Sequence, residues 1–69
     1  MIEKDIKLIE ALLFASGEPI DEIHLKDKIS NKENILKYLN EIKKYYSKRG
    51  INLVKTGKKW SFRTSDEII

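Results

Sequence analysis

The chain has 69 residues, no cysteine, and 14 basic against 11 acidic residues, for a net charge of +3. That length makes one domain with a small core, and the lack of cysteine excludes disulfides and thiolate metal sites, so a partner subunit or neighbouring domain in a reducing compartment is the expected support. No apolar run nears the roughly 20 residues of a membrane span and the start is no secretion signal, so a cytoplasmic protein without membrane contact is expected, its mild basic excess permitting nucleic-acid contact without indicating it.

Met1 to Asp5 reads as a charged lead-in without functional features, joining a first helix at about Glu3 or Lys4. Ile2, Ile6, Ile9 and Leu13 form its core stripe, at spacings of four, three and four. The apolar arc is wider than the stripe. Leu8 and Leu12 lie to one side, Ala11 and Ala15 continue beyond them, and Phe14 projects from the other flank, which exceeds the ~100° that one-sided burial needs. Helix formers continue to Ser16, Gly17 supplies a left-handed C-terminal cap, and Pro19 stops the helix from resuming.

Glu18-Pro19-Ile20 is biased towards extended structure and can pair as a very short edge strand. Asp21 is placed to cap a second helix over Glu22 to Lys28, with Leu25 and Ile29 giving its apolar side. Ser30-Asn31-Lys32-Glu33 has capping-box spacing, so a third and longest helix is expected from there to about Arg49, with Gly50 at its end. Its stripe is Ile35, Leu39, Ile42 and Tyr46, widened by Leu36 on one side and by Tyr38 and Tyr45 on the other.

From Ile51 the period changes to alternation. Ile51 and Leu53 share one side of a strand, Trp60 and Phe62 one side of the next, and Thr56-Gly57-Lys58-Lys59 forms the turn. Three helices followed by a two-stranded wing make an α+β fold of winged helix-turn-helix type.

The run Glu10-Ala11-Leu12-Leu13-Phe14-Ala15-Ser16-Gly17-Glu18-Pro19 resembles the opening signature of the bacterial segregation and condensation protein B family. Ile51-Asn52-Leu53-Val54-Lys55 and Trp60-Ser61-Phe62-Arg63-Thr64 resemble the wing of that family's first winged-helix domain, so the resemblance covers nearly the whole chain. It implies a non-enzymatic accessory subunit of the bacterial SMC condensin, cytoplasmic and nucleoid-associated, without cofactor. The implied partners are SMC and the kleisin subunit, segregation and condensation protein A, in chromosome condensation and segregation. It further implies two tandem winged-helix domains per chain, the first forming a homodimer and the second supplying much of the kleisin contact. Residues 1–64 correspond to the first. Ser65-Asp66-Glu67 with Ile68-Ile69 reads as a linker or the next helix, so a longer parent protein is expected.

Chemistry-bearing residues are few. His24 has Asp21 and Asp27 three residues to either side, but Asp21 is better used as a cap and no second histidine or cysteine completes a metal set, so no metal is expected. Ser16 has no base beside it in sequence, and the glycines have no phosphate-cradling spacing. Enzymatic activity is not expected.

The alternative function is a winged-helix DNA-binding transcriptional regulator, with helix three in the major groove and the wing on phosphate. Lys37, Lys44 and Lys48 lie opposite the apolar stripe, but Glu33 and Glu41 fall among them, and no arginine precedes the final turn for guanine readout. Weak, salt-sensitive contact through Lys55, Lys58, Lys59 and Arg63 is the expected limit. The protein-interface candidates are Leu8, Leu12, Phe14 and Trp60. Phe14 has the alternative of packing on the wing or helix two, and Trp60 that of closing the core.

Overall fold

The computed structural model describes residues 4–65. Ile2 and the helix expected from Asp66 onward lie outside the described residues. The elements are α1 (Lys4–Ala15), β1 (Ile20–Asp21), α2 (Glu22–Lys28), α3 (Ile35–Tyr45), β2 (Ile51–Thr56) and β3 (Lys59–Thr64), with a 3-10 turn over Lys32–Asn34 leading into α3. This is the expected α+β winged helix. β2 and β3 form the wing, and β1 adds a third strand on its β3 side, giving the antiparallel order β1-β3-β2. β1 reaches only Trp60 and Lys59 of β3.

Side-chain periodicity explains the core. Ile9 and Leu13 of α1, Leu25 and Ile29 of α2, Ile35, Tyr38, Leu39 and Ile42 of α3, and Leu53 and Trp60 of the wing are buried together, with Ile6, Leu12, Ile20, Tyr46 and Phe62 packed partly against them. Each fully buried aliphatic side chain contributes about 1.5–3 kcal/mol. Trp60 is only 3% exposed, so of its two readings the structure shows closure of the core. The reason is strand parity: Trp60 and Phe62 share the inward face of β3 with Leu53 across the ladder.

Helix ends depart from the expected chemistry in three places. Gly17 is not a left-handed cap, since among the described residues only Gly57 has positive φ, at 63°. α1 is closed instead by the Ser16 N–H donating to the Leu12 carbonyl at 3.1 Å, and the Ser16 hydroxyl bridges to Glu18, accepting its N–H and donating to its carbonyl. The Ser30–Glu33 capping box does not form. Asp5 accepts the Ser30 and Asn31 N–H groups at 3.1 and 3.0 Å, so the donor that Glu33 would have taken in the box, the Ser30 N–H, is already bonded.

α3 is the third departure. It ends at Tyr45, not Arg49, and its 11 residues are one fewer than the 12 of α1. Gly50 is therefore not its terminal residue. The Tyr46 carbonyl accepts from Asn52 Nδ2 at 2.7 Å and from the Arg49 N–H at 3.1 Å, which turns the chain towards β2. α2 follows expectation, with Asp21 accepting the Ile23 N–H at 3.0 Å. Its C-terminus carries a cap the sequence does not advertise: Lys32 Nζ donates to the carbonyls of Lys26, Asp27 and Ile29 at 3.1–3.2 Å.

Candidate interaction surface

The functional candidates divide between the outer face of α1 and the wing. From Leu8 to Ala15 the sole polar side chain of α1 is Glu10. Glu10 is not available as a solvated surface group, because the Tyr46 hydroxyl donates to its carboxylate. That bond, followed by burial and the Glu10 charge, pushes the Tyr46 hydroxyl above its ordinary value, so it remains a donor. The two neighbours thus tie α1 to the end of α3 and leave the surrounding surface apolar.

Phe14 is 77% exposed and Leu8 39% exposed. At 100° per residue they fall on opposite flanks of the outer face, with Ala11 and Ala15, both exposed, between them. Leu12 turns inward and is half-buried against the core. On the Phe14 flank a groove is lined by Lys7, Glu10, Ala11, Phe14, Tyr46 and Phe62. Its aromatic wall is ordered by edge-to-face contacts, Tyr46 to Phe62 at 5.0 Å and Tyr45 to Tyr46 at 5.1 Å between centroids. Sequence reasoning did not foresee Glu10, Tyr46 and Phe62 as part of this surface; their separation along the chain hides them.

The wing cations are unequal. Lys55 sits 4.0 Å from Glu22 and 5.6 Å from the centre of the Trp60 ring, so part of its charge is already answered. Lys58, Lys59 and Arg63 are exposed. The outward face of α3 carries Leu36, Lys37, Asn40, Glu41, Lys43, Lys44 and Tyr45. An exposed leucine and a glutamate among those lysines are poorly suited to a phosphate-lined groove. Ser16 is engaged with Glu18, and His24 and Asp27 are exposed on α2. Among the described residues no cluster of three or more potential ligands could hold a metal ion, and no helix is long and apolar enough to cross a membrane.

The geometry is thus a winged helix whose first helix presents Phe14, the most exposed large apolar side chain among the described residues, beside Ala11, Ala15 and Leu8, while α2 exposes Ile23 and α3 exposes Leu36 and Tyr45. The sequence model of the segregation and condensation complex subunit ScpB matches residues 7–69. The chain belongs to this family. No curated protein matches it. ScpB membership makes the chain a condensin-associated chromosome-segregation subunit of the SMC complex, in a family of non-catalytic accessory subunits. The match takes in α1 from residue 7, α2, α3 and the wing, so the exposed apolar face of α1 and the wing cations lie within the ScpB-like region.

Proposed function

We propose that this chain is the self-associating winged-helix domain of a condensin accessory subunit at the nucleoid, doing no chemistry and reaching its complex through protein contacts. The observation that carries this reading is the outer face of α1. A helix apolar on nearly every side is stable where it is covered all round, and the C-terminal half of α1 is covered on one side.

The same face is self-complementary. If two copies of α1 pack antiparallel about Ala11, positions 8 and 14, 7 and 15, and 4 and 18 of the two copies come level with one another along the crossing. Small residues at the crossing let the backbones approach, and each pairing occurs twice about a two-fold axis. Contact with kleisin and SMC belongs to the whole subunit. Contact with DNA is weak and confined to Lys58, Lys59 and Arg63, with Lys55 contributing less.

Light scattering of the chain, set beside a salt titration of its DNA affinity, tests the reading. A dimer whose DNA affinity is weak supports it. A monomer that binds one DNA sequence tightly would transfer the function to the regulator alternative.

A further inference from the structure

The loop between α2 and α3 is gripped by two side chains of opposite charge. Asp5 takes its N–H groups, those of Ser30 and Asn31. Lys32 takes the carbonyls at the end of α2, where the last C=O groups of a helix have no partner further along it. The Lys32 Nζ lies 3.2 Å from the Lys26 and Asp27 carbonyl oxygens and 3.1 Å from that of Ile29. The side chain starts from a fixed point, because the Lys32 carbonyl accepts the Ile35 N–H in the 3-10 turn.

Three acceptors thus surround one nitrogen. An ammonium carries three N–H donors and no acceptor, so the two sets match one for one, at the negative end of α2. The Asn31 and Ser30 backbone bonds, opposed by burial, hold the Asp5 carboxyl below its ordinary value, and the charges of Lys4 and Lys32 add to them. We propose that the carbonyls of Lys26, Asp27 and Ile29 form a binding site for an ammonium or primary-amine cation, which the chain fills with its own Lys32. Because Lys32 is exposed, the site opens to water, and an amine from solution can reach it once the lysine side chain is gone.

The acceptors specify the ligand. A calcium ion takes roughly six to eight oxygens, more than these carbonyls supply. A guanidinium keeps the positive charge but has no nitrogen with three N–H groups, its donors being spread over a planar fork. The loop therefore depends on a compact ammonium and not on positive charge alone.

Thermal unfolding of the parent chain, Lys32→Ala and Lys32→Arg in ammonium chloride and in tetramethylammonium chloride at equal concentration tests the site. Tetramethylammonium has the charge without the N–H donors. Both variants should melt below the parent in tetramethylammonium. Ammonium should then raise the folded-to-unfolded ratio of Lys32→Ala by about twofold or more beyond any change in the parent, the gain expected once the site is half filled. An equal response of Lys32→Ala and the parent to ammonium would overturn the proposal, as would Lys32→Arg as stable as the parent. The parent also gives a readout that needs no variant to fold: by NMR, the Nζ protons of Lys32 should exchange with water about tenfold more slowly than those of the exposed Lys58 and Lys59. Equal exchange at the three lysines would overturn the proposal too.

Discussion

The carboxylate of Asp5, in the first turn of α1, accepts the backbone N–H of Asn31 at 3.0 Å, joining the start of the chain to the loop between α2 and α3. With the Ser30 N–H bonded to its other oxygen, Asp5 does for this loop what a capping side chain does for a helix. Asp5 is 5% exposed, so a substitute that cannot accept both bonds removes the acceptor of two backbone N–H groups.

Acid sensitivity follows from that pair. The Asn31 and then the Ser30 backbone bonds hold the Asp5 carboxyl below its ordinary value of 3.8. A lowered folded value means that the unfolded chain binds the proton more readily, so this stabilisation is complete above that ordinary value and is lost as pH falls through the folded one. Asp5→Ala should therefore melt below the parent at neutral pH, with the gap narrowing in acid. Thermal unfolding followed by circular dichroism from neutral pH into the acid range checks it, and a gap independent of pH would contradict the assignment.

Trp60 should behave as a core residue. Its indole N–H donates to Glu22 Oε1 at 3.0 Å, and its ring fills the space beneath the wing. Trp60→Ala is expected to cost about 3–5 kcal/mol, enough to unfold most of so small a domain at room temperature. Trp60→Phe should remain folded but less stable, because Glu22 then lacks the indole donor. Chemical denaturation of both variants gives the comparison, and a folded, stable Trp60→Ala would contradict the core assignment.

Self-association should be lost without loss of fold in Phe14→Glu, measured as a fall to monomer mass by light scattering with an unchanged circular dichroism spectrum. Geometry has a separate readout. The chain contains no cysteine, so Ala11→Cys places a single thiol at the proposed two-fold axis, where mild oxidation should link two copies. A dimer that does not cross-link through Ala11→Cys would retain self-association and discard the antiparallel arrangement.

The glycines should separate cleanly. Gly57 begins the two-residue turn between β2 and β3 with φ at 63°, the first-position conformation of a type II′ hairpin turn. Gly57→Ala should cost about 1–2 kcal/mol because an L side chain is strained there. Gly50→Ala faces no such strain and no atom within 4 Å of the new methyl group, so it should be neutral or add about 0.4–1 kcal/mol. Equal losses at the two positions, by thermal unfolding, would contradict this.

Local chemistry was sufficient for much of the architecture. Apolar spacing of three and four marks α1 and α3, the Asp21 cap locates α2, and the change to alternation at Ile51 locates the wing, because these signals come from neighbours within a few residues. The outward side of α1 was visible for the same reason: too many apolar residues for one stripe. Other features depend on atoms far apart in sequence. Asp5 took the Ser30 N–H that the expected capping box assigns to Glu33 because folding brought a carboxylate to the loop, α3 stopped early where the Ser47 N–H turned back to the Lys44 carbonyl instead of continuing the helical ladder, and Trp60 became core because strand parity turned it inward. Pattern along a chain reports which faces are greasy; only packing decides which donors find which acceptors, and hence which apolar side chains remain uncovered.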